Sequence, residues 1–320
     1  MPGVTLASQF SVNRLTRFED ALAAWPGPVS AVVYLMDMSD IDVLIEYFRV
    51  AANLERYHRV ELAVVAPNFA DEERYRYPIN QLRNIAIGMI RTTHHLLIDA
   101  DFVPNRALYT EVVEKRFAEM WRTDSESSIG TVAAPNPSRT AFVVPCVALV
   151  EDYSGAYPET IDELRSLFDR RLAYITDSNA GHGLTADKVF LRSAMIKSSP
   201  WYEVCYESQW EPYYILPRTA PAWDERFRNQ GGDKQQHALI LNALHYRFLV
   251  LSDVYLYHRD HAKLVWPGGG LVRHENTFNY FKGWMDDMVR DFGVSFRWPH
   301  GCATPLVSEQ LRLMEGIGFG

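Results

Sequence analysis

"HHLLIDADFVPN", residues 94–105, runs from a short apolar stretch into two acids one residue apart, Asp99 and Asp101. An apolar run of this length, bounded by turn-forming residues, is the pattern of a buried strand. In an extended chain residues i and i+2 point the same way. Asp99 and Asp101 are therefore expected to converge on one object: a metal ion, a set of backbone amides, or water.

Working outward from that strand, the chain upstream alternates between two periodicities. "VTLASQF", "PVSAVVYL" and "VELAVVAP" read as strands. "LTRFEDALAAW", a stretch from about Asp40 to Leu54, and "INQLRNIAIGMIRT" carry apolar residues at helical spacing. Strands alternating with helices imply βαβ units and a largely parallel sheet. In such sheets ligands gather beyond the carboxyl ends of strands, which is where the two acids stand. Downstream, "TAFVVPCVALV" reads as one strong strand, "ETIDELRSLFDRRLAY" as a helix, and "WYEVCYESQWEPYYILPR" as sheet. "DKQQHALILNALHY" and "HENTFNYFKGWMDDMVRDFG" read as helices flanking a strand in "FLVLSDVYLYH". "SESSIGTVAAPNPSRT" (125–140) reads as a long loop. No linker separates two units, so one α/β domain over residues 1–320 is expected.

Composition removes several classes of function. The 320 residues carry a formal net charge of −8 and no Lys/Arg block, so nucleic acid is not an expected partner. No run approaches the length of a membrane span, and "MPGVTLASQFSVNRL" lacks the layout of a signal peptide. Cys146, Cys205 and Cys302 are widely spaced, without a C-x-x-C pair, so neither a disulfide framework nor a structural zinc site is indicated.

Two carboxylates at a strand end suit a hard divalent cation that keeps positions open for substrate phosphates. In an enzyme using a nucleoside diphosphate donor, such a cation stabilises the leaving diphosphate. A solvated or capping pair is the plainer alternative. A third reading is the aspartyl-phosphatase string D-x-D-x-T/V, in which the first Asp is a nucleophile; Val103 would close it. That string normally follows the first strand of its domain, and here three strand–helix units precede it.

Several segments together resemble one family, the LARGE-type glucuronyltransferases of glycosyltransferase family 49. They are "VTLASQFSVNRL", "YPINQLRNIA" (77–86), "LLIDADFVPN", "HGLTADK" (182–188), "WEPYYILPR" (210–218), "DERF" (224–227) and "VYLYHRDH" (254–261), in order along the chain. The resemblance implies a GT-A fold, with a Rossmann-like, mostly parallel central sheet flanked by helices. It also implies an inverting transferase using UDP-glucuronic acid with Mn2+ (or Mg2+), a UDP-sugar donor and a glycan acceptor. Metal ligands would be Asp99, Asp101 and His258, with His261 as a neighbour; Asp99 would also meet the donor.

The same resemblance places Gln9, Ser11, Arg14, Asn80, Arg83, Asn84, His182 and Lys188 around the donor. A guanidinium such as that of Arg83 suits a diphosphate or carboxylate through paired hydrogen bonds; its plainer reading is a surface salt bridge. Inverting transfer needs one base to take the acceptor hydroxyl's proton. Glu211, flanked by aromatics, is the first choice, and Asp233 the competitor, whose plainer reading is a helix N-cap. Keeping Asp99, Asp101, Arg83, Glu211 and His258 together argues against a carbohydrate-binding protein that has lost activity. One departure is at Ala148, where the family has Glu, and "VALVEDYSGAY" carries no arginine; a different nucleotide sugar is the alternative it raises. Family members are Golgi-anchored by an N-terminal membrane helix. None is visible here, so the expected location is the Golgi lumen behind a removed anchor, or the cytoplasm as the chain stands.

Overall fold

The computed structural model describes residues 3–118, 139–176, 200–228, 232–261 and 277–299. His182, Lys188 and most of the 125–140 stretch lie outside the described residues. The first half is built as β1 (Val4–Ser11), α1 (Leu15–Ala24), β2 (Val29–Tyr34), α2 (Ser39–Arg49), α3 (Ala51–Tyr57), β3 (Val60–Val65), α4 (Ile79–Gly88) and β4 (His94–Asp99). The expected helix from Asp40 to Leu54 is two helices. Val50 is extended, with ψ 116, and the Asn53 side-chain amide donates to the Tyr47 carbonyl at 2.8 Å. That bond satisfies one of the carbonyls that α2 leaves open at its end.

The second half contains β5 (Phe102–Pro104), β6 (Thr140–Val144), β7 (Cys146–Leu149), α5 (Ile161–Asp169), β8 (Ala173–Ile175), β9 (Trp201–Val204), β10 (Tyr213–Pro217), α6 (Asp233–Ala243), β11 (Arg247–Leu251), β12 (Leu256–Arg259) and α7 (Thr277–Phe292). Eight strands form one sheet in the order β3-β2-β1-β4-β10-β6-β11-β9. Only β10 and β9 run against the rest. This is the mixed α/β architecture, with a mostly parallel central sheet, expected of a GT-A fold. Phe18, Trp25, Leu96, Ile98 and Phe142 are fully buried in its main core; strands buried along their whole length, such as β1 and β2, fit a sheet covered on both faces.

A second sheet, β5-β12-β7-β8, stands beside the first. Its existence corrects two expectations. "TAFVVPCVALV" is not one strand but β6 in the large sheet and β7 in the small one. Pro145 between them has no N–H to give a ladder. "FLVLSDVYLYH" divides the same way into β11 and β12. The two crossings are side by side, because β11 pairs with β6 and β12 with β7, both in parallel. The predicted helix 159–174 is also shorter, since Arg171 is left-handed (φ 59) and the chain continues into β8. α5 itself starts on a capping box between Thr160 and Glu163.

Cys205 is disulfide-bonded, and Cys146 is a buried thiol outside any disulfide. The cysteine spacing did not indicate a bridge, because pairing depends on how closely the fold brings two Cβ atoms together, not on separation along the chain.

Candidate functional site

β4 ends at Asp99, opposite Gln9 of β1, and Ala100 and Asp101 turn the chain into β5. The turn cancels the i, i+2 rule of an extended strand, so the two acids face different partners.

Asp99 accepts hydrogen bonds on Oδ2 from the Tyr213 hydroxyl at 2.7 Å and from Lys234 Nζ at 2.9 Å. Arg83 Nη2 lies 3.4 Å from its other oxygen. Burial by itself would raise the pKa of Asp99, but the charges of Lys234 and Arg83 and the two hydrogen bonds hold it well below the usual carboxylate range. Arg83 is a buried residue, not the surface ion pair of the plainer reading. Its side chain is 2% exposed, its Nη1 donates to Asn80 Oδ1 at 3.0 Å and also binds Asp233. The guanidinium lies over the Trp223 ring, 4.4 Å from its centroid. Desolvation works against its charge, yet Asp233 and Asp99 outweigh it and raise the pKa of Arg83.

The partners of Asp99 meet at the start of α6. Gly232 precedes the helix with φ 73, a left-handed conformation that glycine adopts without cost. The next three side chains then reach three different groups. Asp233 binds Arg83, Lys234 binds Asp99, and Gln235 Nε2 donates to Glu211 Oε1 at 3.1 Å. Asp233 is thus the first residue of the helix, behind the N-cap Gly232; its carboxylate is held by the buried arginine. Lys234 Nζ also stands 2.8 Å from the Tyr213 hydroxyl and 3.9 Å from Glu211 Oε2. Burial raises the pKa of Glu211, and Lys234 offsets part of that rise.

Lys234 and Tyr213 are the residues that reading the motifs missed. Tyr213 sits inside the quoted "WEPYY" without having been singled out. For Lys234 there was a signal: a cation in the first turn of a helix opposes the helix dipole, so a lysine there needs carboxylates beside it.

Asp101 faces the other way. Its Oδ2 accepts from Arg14 Nη1 at 2.7 Å. His261 Nε2 lies 3.2 Å and His258 Nε2 3.9 Å from the same oxygen. One ligand atom from each of Asp101, His258 and His261 falls within 4.8 Å of the others. One carboxylate oxygen with two imidazole nitrogens is a donor set that fits a first-row divalent metal ion. Asp99 stands outside this trio, engaged with Lys234 and Arg83.

The remaining sequence candidates are placed as follows. Gln9 is buried and accepts from the Tyr77 hydroxyl. The Ser11 hydroxyl donates to Asn13 Oδ1 at 2.5 Å. Asn80 Nδ2 donates to the Asp224 carbonyl at 2.8 Å, and Asn84 exchanges two 2.9 Å bonds with the Trp223 backbone. These two asparagines tie α4 to the "DERF" segment. A cavity of about 10 Å³, room for roughly one water, is lined by Arg83, His95, Asp99, Tyr213, Trp223 and Lys234 among others.

Comparison with known proteins agrees with this architecture. The family model described as "Glycosyl-transferase for dystroglycan" matches residues 54–264, and the chain belongs to that family of glycosyltransferases. It is 30% identical over 304 residues to human "Xylosyl- and glucuronyltransferase LARGE2", covering 94% of this chain and 38% of that protein. Against human "Xylosyl- and glucuronyltransferase LARGE1" it is 29% identical over 302 residues, or 91% of this chain and 36% of that protein. The chain thus spans less than two fifths of these relatives' length. Among solved structures, GalNAc-T7 with UDP, GalNAc and Mn2+ aligns at a TM-score of 0.48 and 10% identity, covering 82% of this chain and 45% of that one. That likeness is too loose to carry an argument.

Proposed function

We propose that this chain is a manganese-dependent, inverting glycosyltransferase that moves a sugar, glucuronic acid first, from a UDP donor to a glycan acceptor. It would act as one catalytic domain over residues 1–320, with its donor half at about 1–150 and its acceptor-side half at about 151–320. The observation that carries the reading is the convergence of Asp101, His258 and His261 beside the charged group of Asp99, Lys234 and Glu211. Imidazole ligands favour Mn2+ over Mg2+, which prefers oxygen and water. When bound there, the ion would neutralise a donor diphosphate and help it to leave.

The protein's own groups divide the remaining work. Asp99, kept ionised by Lys234 and Arg83, would accept hydrogen bonds from the donor. Glu211 is the better base: burial raises its proton affinity, and its carboxylate meets Gln235 and the more distant Lys234. Asp233 is less suited, because its carboxylate is committed to Arg83 in the interior. Arg14, Gln9 and Ser11, at the end of β1, would face the donor nucleotide.

The test is the thermal shift produced by UDP with and without Mn2+. The expected result is stabilisation that requires both, absent in Asp101→Asn while that variant keeps its fold. No Mn2+-dependent shift, or an unchanged shift in Asp101→Asn, would refute the metal assignment. A donor screen including UDP-glucuronic acid and UDP-xylose, which differ by one carboxylate, then settles the sugar. Glu211→Gln should cost at least about a hundredfold in transfer rate with the Mn2+–UDP shift retained.

A further inference from the structure

Resting on the proposed Asp101–His258–His261 metal site, we propose that Asp260 and Tyr174 form a supporting chain that orients His258 and raises the site's affinity for the ion. His258 has two ring nitrogens, and they face opposite charges of work. Its Nε2 is on the side of Asp101, whereas Nδ1 lies 3.3 Å from Asp260 Oδ1. A metal-ligating histidine commonly gives its second N–H to a carboxylate, which fixes the tautomer and makes the ligating nitrogen more basic. Asp260 is placed to accept that proton, leaving the Nε2 lone pair for the metal.

Asp260 is itself held. Its backbone N–H donates to the Leu149 carbonyl at 2.8 Å, and its Oδ2 accepts from the Tyr174 hydroxyl. Sheet register explains why three elements meet here. Phe102, His258, Ala148 and Tyr174 are paired in one row across β5, β12, β7 and β8, and residues directly paired across strands project on the same face. Phe102 packs on the imidazole, ring centroids 5.0 Å apart. Between His258 and Tyr174 stands only the methyl group of Ala148, so the tyrosine hydroxyl reaches across to Asp260. A larger residue at 148 would occupy the gap that this chain spans.

The measurement is calorimetric titration of the full chain with Mn2+, alongside the melting temperature without metal. Asp260→Ala should weaken Mn2+ binding about ten- to a hundredfold. Asp260→Asn, which keeps a neutral acceptor, should weaken it less, and Tyr174→Phe least. Both Asp260 and Tyr174 are partly exposed, so the metal-free melting temperature should hardly move; a purely structural role would shift that temperature instead. Unchanged Mn2+ affinity in Asp260→Ala, with binding intact in the unsubstituted protein, overturns this inference alone. No Mn2+ binding by the unsubstituted protein overturns the metal reading and this inference with it.

Discussion

Asp99 and Asp101 are one residue apart, yet they live in two different chemistries. Asp99 belongs to a closed set of charges: Lys234, Arg83 and Tyr213 hold its oxygens, and Arg83 in turn holds Asp233. Asp101 belongs to an open set, with one arginine and two imidazoles at its edge. The first keeps a charge fixed in place; the second gathers two imidazoles and a guanidinium around one carboxylate oxygen. A D-x-D string therefore need not work as a pair. The turn at Ala100 gives the two acids different partners.

The contrast can be broken most forcefully at Arg83. Arg83→Met leaves Asp233 buried and Asp99 short of a partner, and should cost about 3–5 kcal/mol of unfolding free energy, read from urea denaturation. A loss below about 1 kcal/mol, the range of exposed pairs, would mean that the closed set is not one. Lys234→Met should cost less, about 1–3 kcal/mol, because Asp99 keeps Arg83 and Tyr213.

Acidification sharpens the same comparison. The depressed pKa of Asp99 contributes stability that is complete above the unfolded value of about 3.9 and is lost only as pH falls through its still lower folded value. Between pH 7 and 4.5 that contribution is constant. Burial instead lowers the pKa of His95 to about 3 and of His94 and His237 to about 4. These histidines are neutral in the fold, and their contribution is lost as pH falls from the unfolded value of about 6.5 through the folded ones. The urea midpoint should fall steadily from pH 7 to 4.5. In Lys234→Met the fall should be shallower, because Glu211 loses the cation that offsets the effect of burial and takes up its proton more readily in the folded state. An unchanged slope would mean that Lys234 does not act on Glu211. The smallest effect belongs to the open set: Arg14→Met should change stability by less than about 1 kcal/mol, since both partners of that ion pair are partly exposed.

Much of the fold was legible because it is carried by local pattern. The alternation of strand and helix through β4, and the strand that delivers Asp99, follow from apolar spacing alone. What escaped was set by geometry between distant residues. Pro145 was visible, but that both its strand and the one ending at His258 leave the large sheet together depends on their pairing. At the site, Arg83, Glu211 and His258 were found through motif segments. The charge-state of Asp99 was not, because Lys234 and Tyr213 meet it from 135 and 114 positions away. Val50, a residue compatible with a helix pattern, breaks one because Asn53 caps the turn before it.

The paired crossing from large sheet to small also sets what kinds of sequence change this protein can tolerate. Leu256 donates to the Pro145 carbonyl at 2.8 Å, and Asn105 to that of Tyr255 at 2.9 Å, so β12 is pinned on both sides as soon as it enters the small sheet. Faces of a strand alternate with every residue: Tyr255 and Tyr257 pack into one cluster while His258 turns towards Asp101. Loss or gain of a single residue at 252–254 would bring Arg259 or Tyr257 to the place of the histidine and drive His258 into that cluster. Substitutions there are a matter of degree, but length is not, and the register of the strand that carries His258 is kept by the number of residues in the connection before it.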